Sequence, residues 1–189
     1  MNRSTSLAYM AGIQDQYPFI ARPSFPLPAD LALFCLPMGA TLESWPQNST
    51  QPQPVSSTFV LTVTSGVETV EKVYGAAVAF YEPYPHDQLT PEQRRALRLE
   101  EHFGRRNCVH TNKSICLLSR WPFFETFDRF LKYLHAMANS GPHLVPIERC
   151  VCVCVCVCGV CFGVFGGLGV VLMCFGGIKG HFWVCFGVF

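Results

Sequence analysis

Trp121-Pro122-Phe123-Phe124-Glu125-Thr126-Phe127-Asp128-Arg129-Phe130-Leu131-Lys132-Tyr133-Leu134-His135-Ala136-Met137 is the stretch on which the fold turns. Phe123, Phe124, Phe127, Phe130, Leu131, Leu134 and Met137 recur at three- and four-residue steps, the spacing that gathers side chains on one face of an α-helix. A helix is predicted to begin near Pro122 and to end before Gly141. Away from the stripe, Glu125 precedes Arg129 and Asp128 precedes Lys132 by four residues, the favourable order for helical ion pairs. A buried Phe or Leu contributes about 1.5–3 kcal/mol, whereas an exposed pair of this kind adds about 0.2–0.5 kcal/mol. The apolar stripe therefore decides where the helix sits, and it is predicted to pack on one face of a sheet. Core packing accounts for the stripe, so no cofactor box is read from it.

Working outward, Ser114-Ile115-Cys116-Leu117-Leu118-Ser119 reads as a buried strand leading straight into that helix. Ser57-Thr58-Phe59-Val60-Leu61-Thr62-Val63 is dense in β-branched residues, whose stiff side chains suit a pleated surface. It is predicted to pair as an antiparallel hairpin with the run from Lys72 to Tyr81, in which Gly75 allows close approach or a bulge. The short apolar run from Leu31 to Leu36, closed by Pro37 and Gly39, fits a further buried strand. Thr90-Pro91-Glu92-Gln93 has the form of a capping box with proline at the first helical position. It predicts a surface helix to about Phe103, stopped by Gly104. Short apolar runs separated by turn clusters give the fold class: α/β (α+β), a mostly antiparallel sheet with helices packed on it.

Three regions follow. Residues 1–30 form an extended lead-in, with Pro18, Pro23, Pro26 and Pro28 excluding a helix or a central strand. Residues 31–148 form the one domain that 189 residues readily accommodate beside an appendage. Residues 149–189 are a low-complexity Val/Cys/Gly/Phe tail. Alternating Val and Cys is what a GT dinucleotide repeat yields in one frame, and beyond Val151 only Met173, Ile178, Lys179 and His181 need a base other than G or T. The tail is expected to be unstructured or non-native, a noncoding repeat read past a splice site. Its uncharged run is long enough for a bilayer, which takes about 20 apolar residues, but it is rich in glycine and lacks flanking Lys or Arg clusters. Alternate cysteines on a strand do not converge on one tetrahedral zinc centre, and exposed apolar strands of this kind favour aggregation.

The formal net charge of +1 provides no basic footprint, so nucleic acid is not expected as a partner. The first residues lack the sustained apolar run of a secretory signal, which places the chain in the cytoplasm. Of eleven cysteines only Cys35, Cys108 and Cys116 lie ahead of Cys150, so no cystine framework is implied for the body. No P-loop, nucleophile elbow or paired-histidine helix is present, and Gly166-Gly167 and Gly176-Gly177 fall in the tail. His102, Cys108, His110 and Cys116 are zinc-ligand types, but their spacing matches no closed zinc motif. They read as a core cysteine with surface histidines. His135 reads as solvated, on the polar flank of the long helix, and the charged run from Glu92 to Arg106 as a solvated face able to dock a partner. No catalytic, cofactor-binding or metal-ligating residue is expected.

Leu33-Phe34-Cys35-Leu36-Pro37-Met38-Gly39-Ala40-Thr41, Ser57-Thr58-Phe59-Val60-Leu61-Thr62, Lys72-Val73-Tyr74-Gly75-Ala76-Ala77, and Ser114-Ile115-Cys116-Leu117-Leu118-Ser119 followed by Trp121-Pro122-Phe123-Phe124 occur in an order and spacing that resemble the upstream (uDENN) segment of DENN domains. Tyr81-Glu82-Pro83-Tyr84, Ser140-Gly141-Pro142-His143 and Pro146-Ile147-Glu148 are most similar to the class-four group, relatives of the c-Myc promoter-binding protein. The resemblance covers residues 31–148. It implies a longin-like layer and the family activity, guanine-nucleotide exchange on Rab GTPases in membrane trafficking, on or near endomembranes. It implies no bond chemistry and no cofactor, and it leaves the GTPase-contacting residues unknown. The family continues into central and downstream lobes that also hold the GTPase, and the resemblance here ends at Glu148. A truncated fragment without exchange activity of its own is therefore expected; the alternative is a longin-like adaptor that binds a partner without exchange.

Overall fold

Phe59 and Gly75 face each other across a long hairpin, the local unit around which the sheet is organised. The computed structural model describes residues 5–17, 27–28, 30–65, 69–99, 107–140 and 171–176. Within them, strand β4 (Val55–Ser65) pairs antiparallel with β5 (Thr69–Pro83) along its whole length. The predicted hairpin is thus present, and Gly75 takes the close-approach role rather than a bulge: a Cβ at that position would collide with the Phe59 ring.

The remaining strands are β1 (Thr5–Tyr9), β2 (Gly12–Tyr17), β3 (Ala40–Pro46), β6 (Asn107–Ser119) and β7 (Val171–Gly176). Among the described residues the seven strands pair antiparallel in one sheet whose main path runs β1-β3-β6-β5-β4. β6 is central. One of its edges is taken by β5, while the other is shared by β3, opposite residues 107–111, and β7, opposite residues 114–118. The fold class is as expected, an α/β arrangement with helices packed on an antiparallel sheet.

The helix α3 (Phe124–Asn139) covers one face. Phe127, Leu131, Leu134 and Ala138 are buried against Ala76, Val78 and Phe80 of β5 and Ile115 and Leu117 of β6, with Phe130 and Met137 partly buried beside them. Phe123 departs from the predicted stripe: it is the residue before the helix and stays 49% exposed, edge-on to Phe127. Its backbone is not yet helical, so the helical period does not carry it to the sheet. The Glu125–Arg129 and Asp128–Lys132 pairs form as expected, at 2.5 and 2.7 Å.

On the other face lies α1 (Leu31–Cys35), where the sequence predicts a strand. Leu31 and Cys35, four residues apart, are both buried with Leu36, Leu61, Val73, Ala77, Cys116 and Leu118. One helical turn brings these two to the same side, and so short an apolar run has no period that separates strand from helix. Gly39, at φ +76°, then turns the chain into β3, with the Tyr9 carbonyl where a Cβ would stand.

The helix α2 (Pro91–Ala96) has the predicted capping box, Thr90 Oγ1 accepting from the Gln93 N–H and Gln93 Oε1 from the Thr90 N–H. It ends well before Phe103. Arg98 adopts φ +53°, and the N–H groups of Arg98 and Leu99 return to the carbonyls of Arg95 and Arg94, closing the last turn. Leu97 plugs a third core with Leu42, Tyr84, Leu89 and Val109. The predicted continuation through residues 100–104 lies outside the described residues.

At the flanks, the lead-in contributes β1 and β2, both ahead of Pro18. The tail is not wholly unstructured: β7 satisfies backbone groups on both sides by pairing with β2 and β6. The rest of residues 149–189 lies outside the described residues.

Candidate functional site

Strand alternation puts Thr41, Glu43 and Trp45 of β3 on one face, and the ladder sets Glu43 opposite His110 of β6. Tyr81, on the neighbouring β5, reaches the same place. Glu43 Oε1 accepts from Thr41 Oγ1 at 3.0 Å and from the Tyr81 hydroxyl at 3.1 Å, while Oε2 accepts from Trp45 Nε1 at 2.9 Å. The Trp45 indole stacks on the His110 imidazole, ring centres 4.2 Å apart and 19° from parallel, and leans on the Tyr81 ring at 4.9 Å. Asn112 anchors the start of β3 by accepting from the Thr41 N–H at 2.6 Å and donating to the Gly39 carbonyl at 3.0 Å.

The electrostatics favour the neutral forms of Tyr81 and His110. Burial raises the Tyr81 phenol above its ordinary range, and the Glu43 charge and hydrogen bond add to the effect, so Tyr81 remains a neutral donor. Burial lowers the His110 pKa, against the Cys108 backbone and the Glu43 carboxylate, which pull it upward. His110 Nδ1 is buried with no hydrogen bond of good geometry. A carboxylate committed to three donors and an imidazole held neutral beside an indole make a rigid platform. The Thr41 and Tyr81 hydroxyls both direct their protons to Glu43, which fixes the carboxylate between β3 and β5.

The zinc-type residues are not brought together. Cys108, His110 and Cys116 lie on one face of β6, but eight residues of strand separate the first from the last, about 26 Å at roughly 3.3 Å per residue. Cys116 is fully buried beneath α1 beside Cys35, and burial pushes its thiol well above the usual range, with Cys35 adding to the shift. His102 lies outside the described residues. Among the described residues no three His, Cys, Asp or Glu side chains are grouped to hold a metal. His135 is not simply solvated: it is half-buried with its ring 4.5 Å from that of Phe80, and loss of hydration lowers its pKa. In the charged run, Arg94 donates to the His86 carbonyl at 2.9 Å and Gln93 to the Tyr9 hydroxyl at 2.9 Å. Those two side chains tie α2 to its neighbours.

The described surface also carries exposed apolar side chains. Leu33, Phe34 and Met38, on and just after α1, are 63%, 42% and 86% exposed, and the Phe34 ring stands 5.3 Å from that of Phe59. Trp121 and Tyr133, beside and on α3, are also exposed. Sequence reasoning missed the Glu43 hub, because it forms only when three strands distant in the chain lie side by side. The outward position of Leu33 and Phe34 follows once α1 is a helix anchored by Leu31 and Cys35.

Comparison with known proteins agrees with this layout. The uDENN domain matches residues 11–80, a span holding β2, α1, β3, β4 and most of β5. The DENN (AEX-3) domain matches residues 110–159, a span holding most of β6 and all of α3. The MAP kinase-activating death domain protein of Caenorhabditis elegans is 25% identical over 129 residues, covering 68% of this chain and 9% of that relative's own length. No solved structure matches. Residues 11–80 are thus similar to the uDENN domain and residues 110–159 to the DENN (AEX-3) domain, the two similarities following one another along the chain.

Proposed function

We propose that the chain is a fragment of a guanine-nucleotide exchange factor for Rab GTPases, acting in membrane trafficking in the cytoplasm and at the surface of endomembranes. The observation that carries this reading is the arrival of uDENN and DENN segments in order on a single sheet. DENN domains are Rab exchange modules. Such a factor makes and breaks no bond; it binds the nucleotide-free GTPase more tightly than the loaded one and so shifts its equilibrium. Class-four grouping is part of the proposal and rests on the blocks at residues 81–84, 140–143 and 146–148.

Exchange by this chain alone is proposed to be slight, because in a full factor the GTPase is held across further lobes. Release of a fluorescent nucleotide from a panel of Rab proteins, with binding of each nucleotide-free Rab measured in parallel, tests both parts. Weak binding without strong acceleration is the expected result. Strong acceleration overturns the inactivity, and absence of both binding and exchange across the panel overturns the Rab reading. That second outcome favours a longin-like adaptor, the reading supported by the apolar side chains that α1 leaves in solvent.

The reading of residues 149–189 as a noncoding repeat read past a splice site rests on composition, and stands beside the pairing of β7 and a DENN match reaching residue 159. A transcript that continues from the Glu148 codon into further DENN sequence supports it. Transcripts that only read through the Val-Cys codons overturn it.

A further inference from the structure

Strand β4 ends the path of the sheet and pairs with β5 on one side. Among the described residues no strand pairs with its other side. Soluble proteins guard such an edge with a lysine, a proline, a bulge or a short strand. β4 has none of these: it is eleven residues long, Val55-Ser56-Ser57-Thr58-Phe59-Val60-Leu61-Thr62-Val63-Thr64-Ser65, without a charged residue or proline, and its register with β5 is unbroken. Val55 and Val60 are 66% and 49% exposed.

The sequence of this edge singles out one occupant. Read outward from Val60, it presents Phe59 and Leu61, Thr58 and Thr62, Ser57 and Val63, then Ser56 and Thr64. A fifth step, Val55 and Ser65, completes the strand, and three of the five keep the same character. A two-fold axis perpendicular to a continuous antiparallel sheet must pass through a residue position, since opposed residues share a face. Val60 is the middle of the strand, so an axis there pairs its full length. Val60 then meets its counterpart and Thr58 meets Thr62 on the α3 side, the side shared with Ala76 and Val78, while Phe59 meets Leu61 on the α1 side. These are favourable cross-strand pairs. No charge lies on the strand itself, while Asp128 of α3 bonds to Ser56, four residues from the axis. Phe34, half-exposed and resting on Phe59, would be covered at the same seam.

We infer that β4 binds β4 of a second copy of this chain, antiparallel with Val60 opposite Val60, extending the sheet across a two-fold axis. The test uses the full chain under reductant, with light scattering behind size exclusion over a range of concentrations. The wild type is expected to shift from the mass of one chain to that of two as concentration rises. Val60→Lys and Val60→Glu each oppose like charges at the axis and are expected to remain single, while their equimolar mixture recovers the dimer. If Val60→Lys does not melt cooperatively, Thr58→Lys combined with Thr62→Lys replaces it, with Thr58→Glu combined with Thr62→Glu as its complement. A wild type that stays single throughout overturns the inference. So does association that the charge variants leave unchanged, which would point to another surface, or a mixture that fails to recover the dimer.

Discussion

Gly75 of β5 and Phe59 of β4 are cross-strand partners, and the Phe59 ring occupies the space a side chain at position 75 would need. The glycine is there for clearance. Gly75→Ala is expected to destabilise the chain by about 1–3 kcal/mol, the usual range for overpacking. In the Phe59→Ala background the same change should cost far less, and a double-mutant cycle by urea denaturation measures the difference. Equal costs in both backgrounds would show that the ring is not what excludes the methyl.

The helix α3 is held by its apolar face. Leu131→Ala and Leu134→Ala, both fully buried, are each expected to cost about 2–5 kcal/mol. Lys132→Ala removes an exposed ion pair and should cost no more than about 0.5 kcal/mol. Thermal melts of the three variants rank them directly.

Arg98 stands in the left-handed region just past α2, where a side chain costs about 1 kcal/mol and glycine nothing. Arg98→Gly is expected to raise stability by about 0.5 kcal/mol, part of the gain being offset by greater freedom in the unfolded chain. Thr90→Ala, which removes the capping oxygen at the other end, should lower it by about 1 kcal/mol. Opposite shifts in the melting temperature check the pair.

Burial lowers the pKa of both His110 and His135 below the ordinary imidazole value, about 6.5 when unfolded. The unfolded chain therefore takes up protons first, so stability is full above that value and is lost as pH falls toward the depressed folded values. Asp128, whose pKa is lowered chiefly by Lys132 and then by Ser56, adds a separate loss only in the carboxylate range. Urea midpoints are expected to fall between pH 7 and 5 for the wild type. They should fall much less when His110→Phe and His135→Leu are combined; an unchanged slope would exonerate both histidines.

How far the sequence could be read depended on whether a segment's neighbours were local. Leu131 and Leu134 announced α3 because helical spacing reports burial without knowledge of the partner, and β4 and β5 are adjacent in the chain. Cys35 misled, since six apolar residues carry no usable period and only the sheet beneath shows that a helical turn fits. Arg98 was equally opaque: a left-handed arginine ends α2 where the sequence points to Gly104. Glu43, Trp45, Tyr81 and His110 come from three strands, and nothing in their spacing announces that they meet.

Because β6 lies between β3 and β5, both of its main neighbours leave the ribosome before it does. During synthesis the β4–β5 hairpin can close at once and β1 can join β3, whereas the inner edges of β3 and β5 wait for a strand more than twenty residues behind them. Translation speed and chaperone supply over that interval would then govern how much of the nascent chain reaches its native state, since late, distant pairings are slow and leave sticky edges open in the meantime.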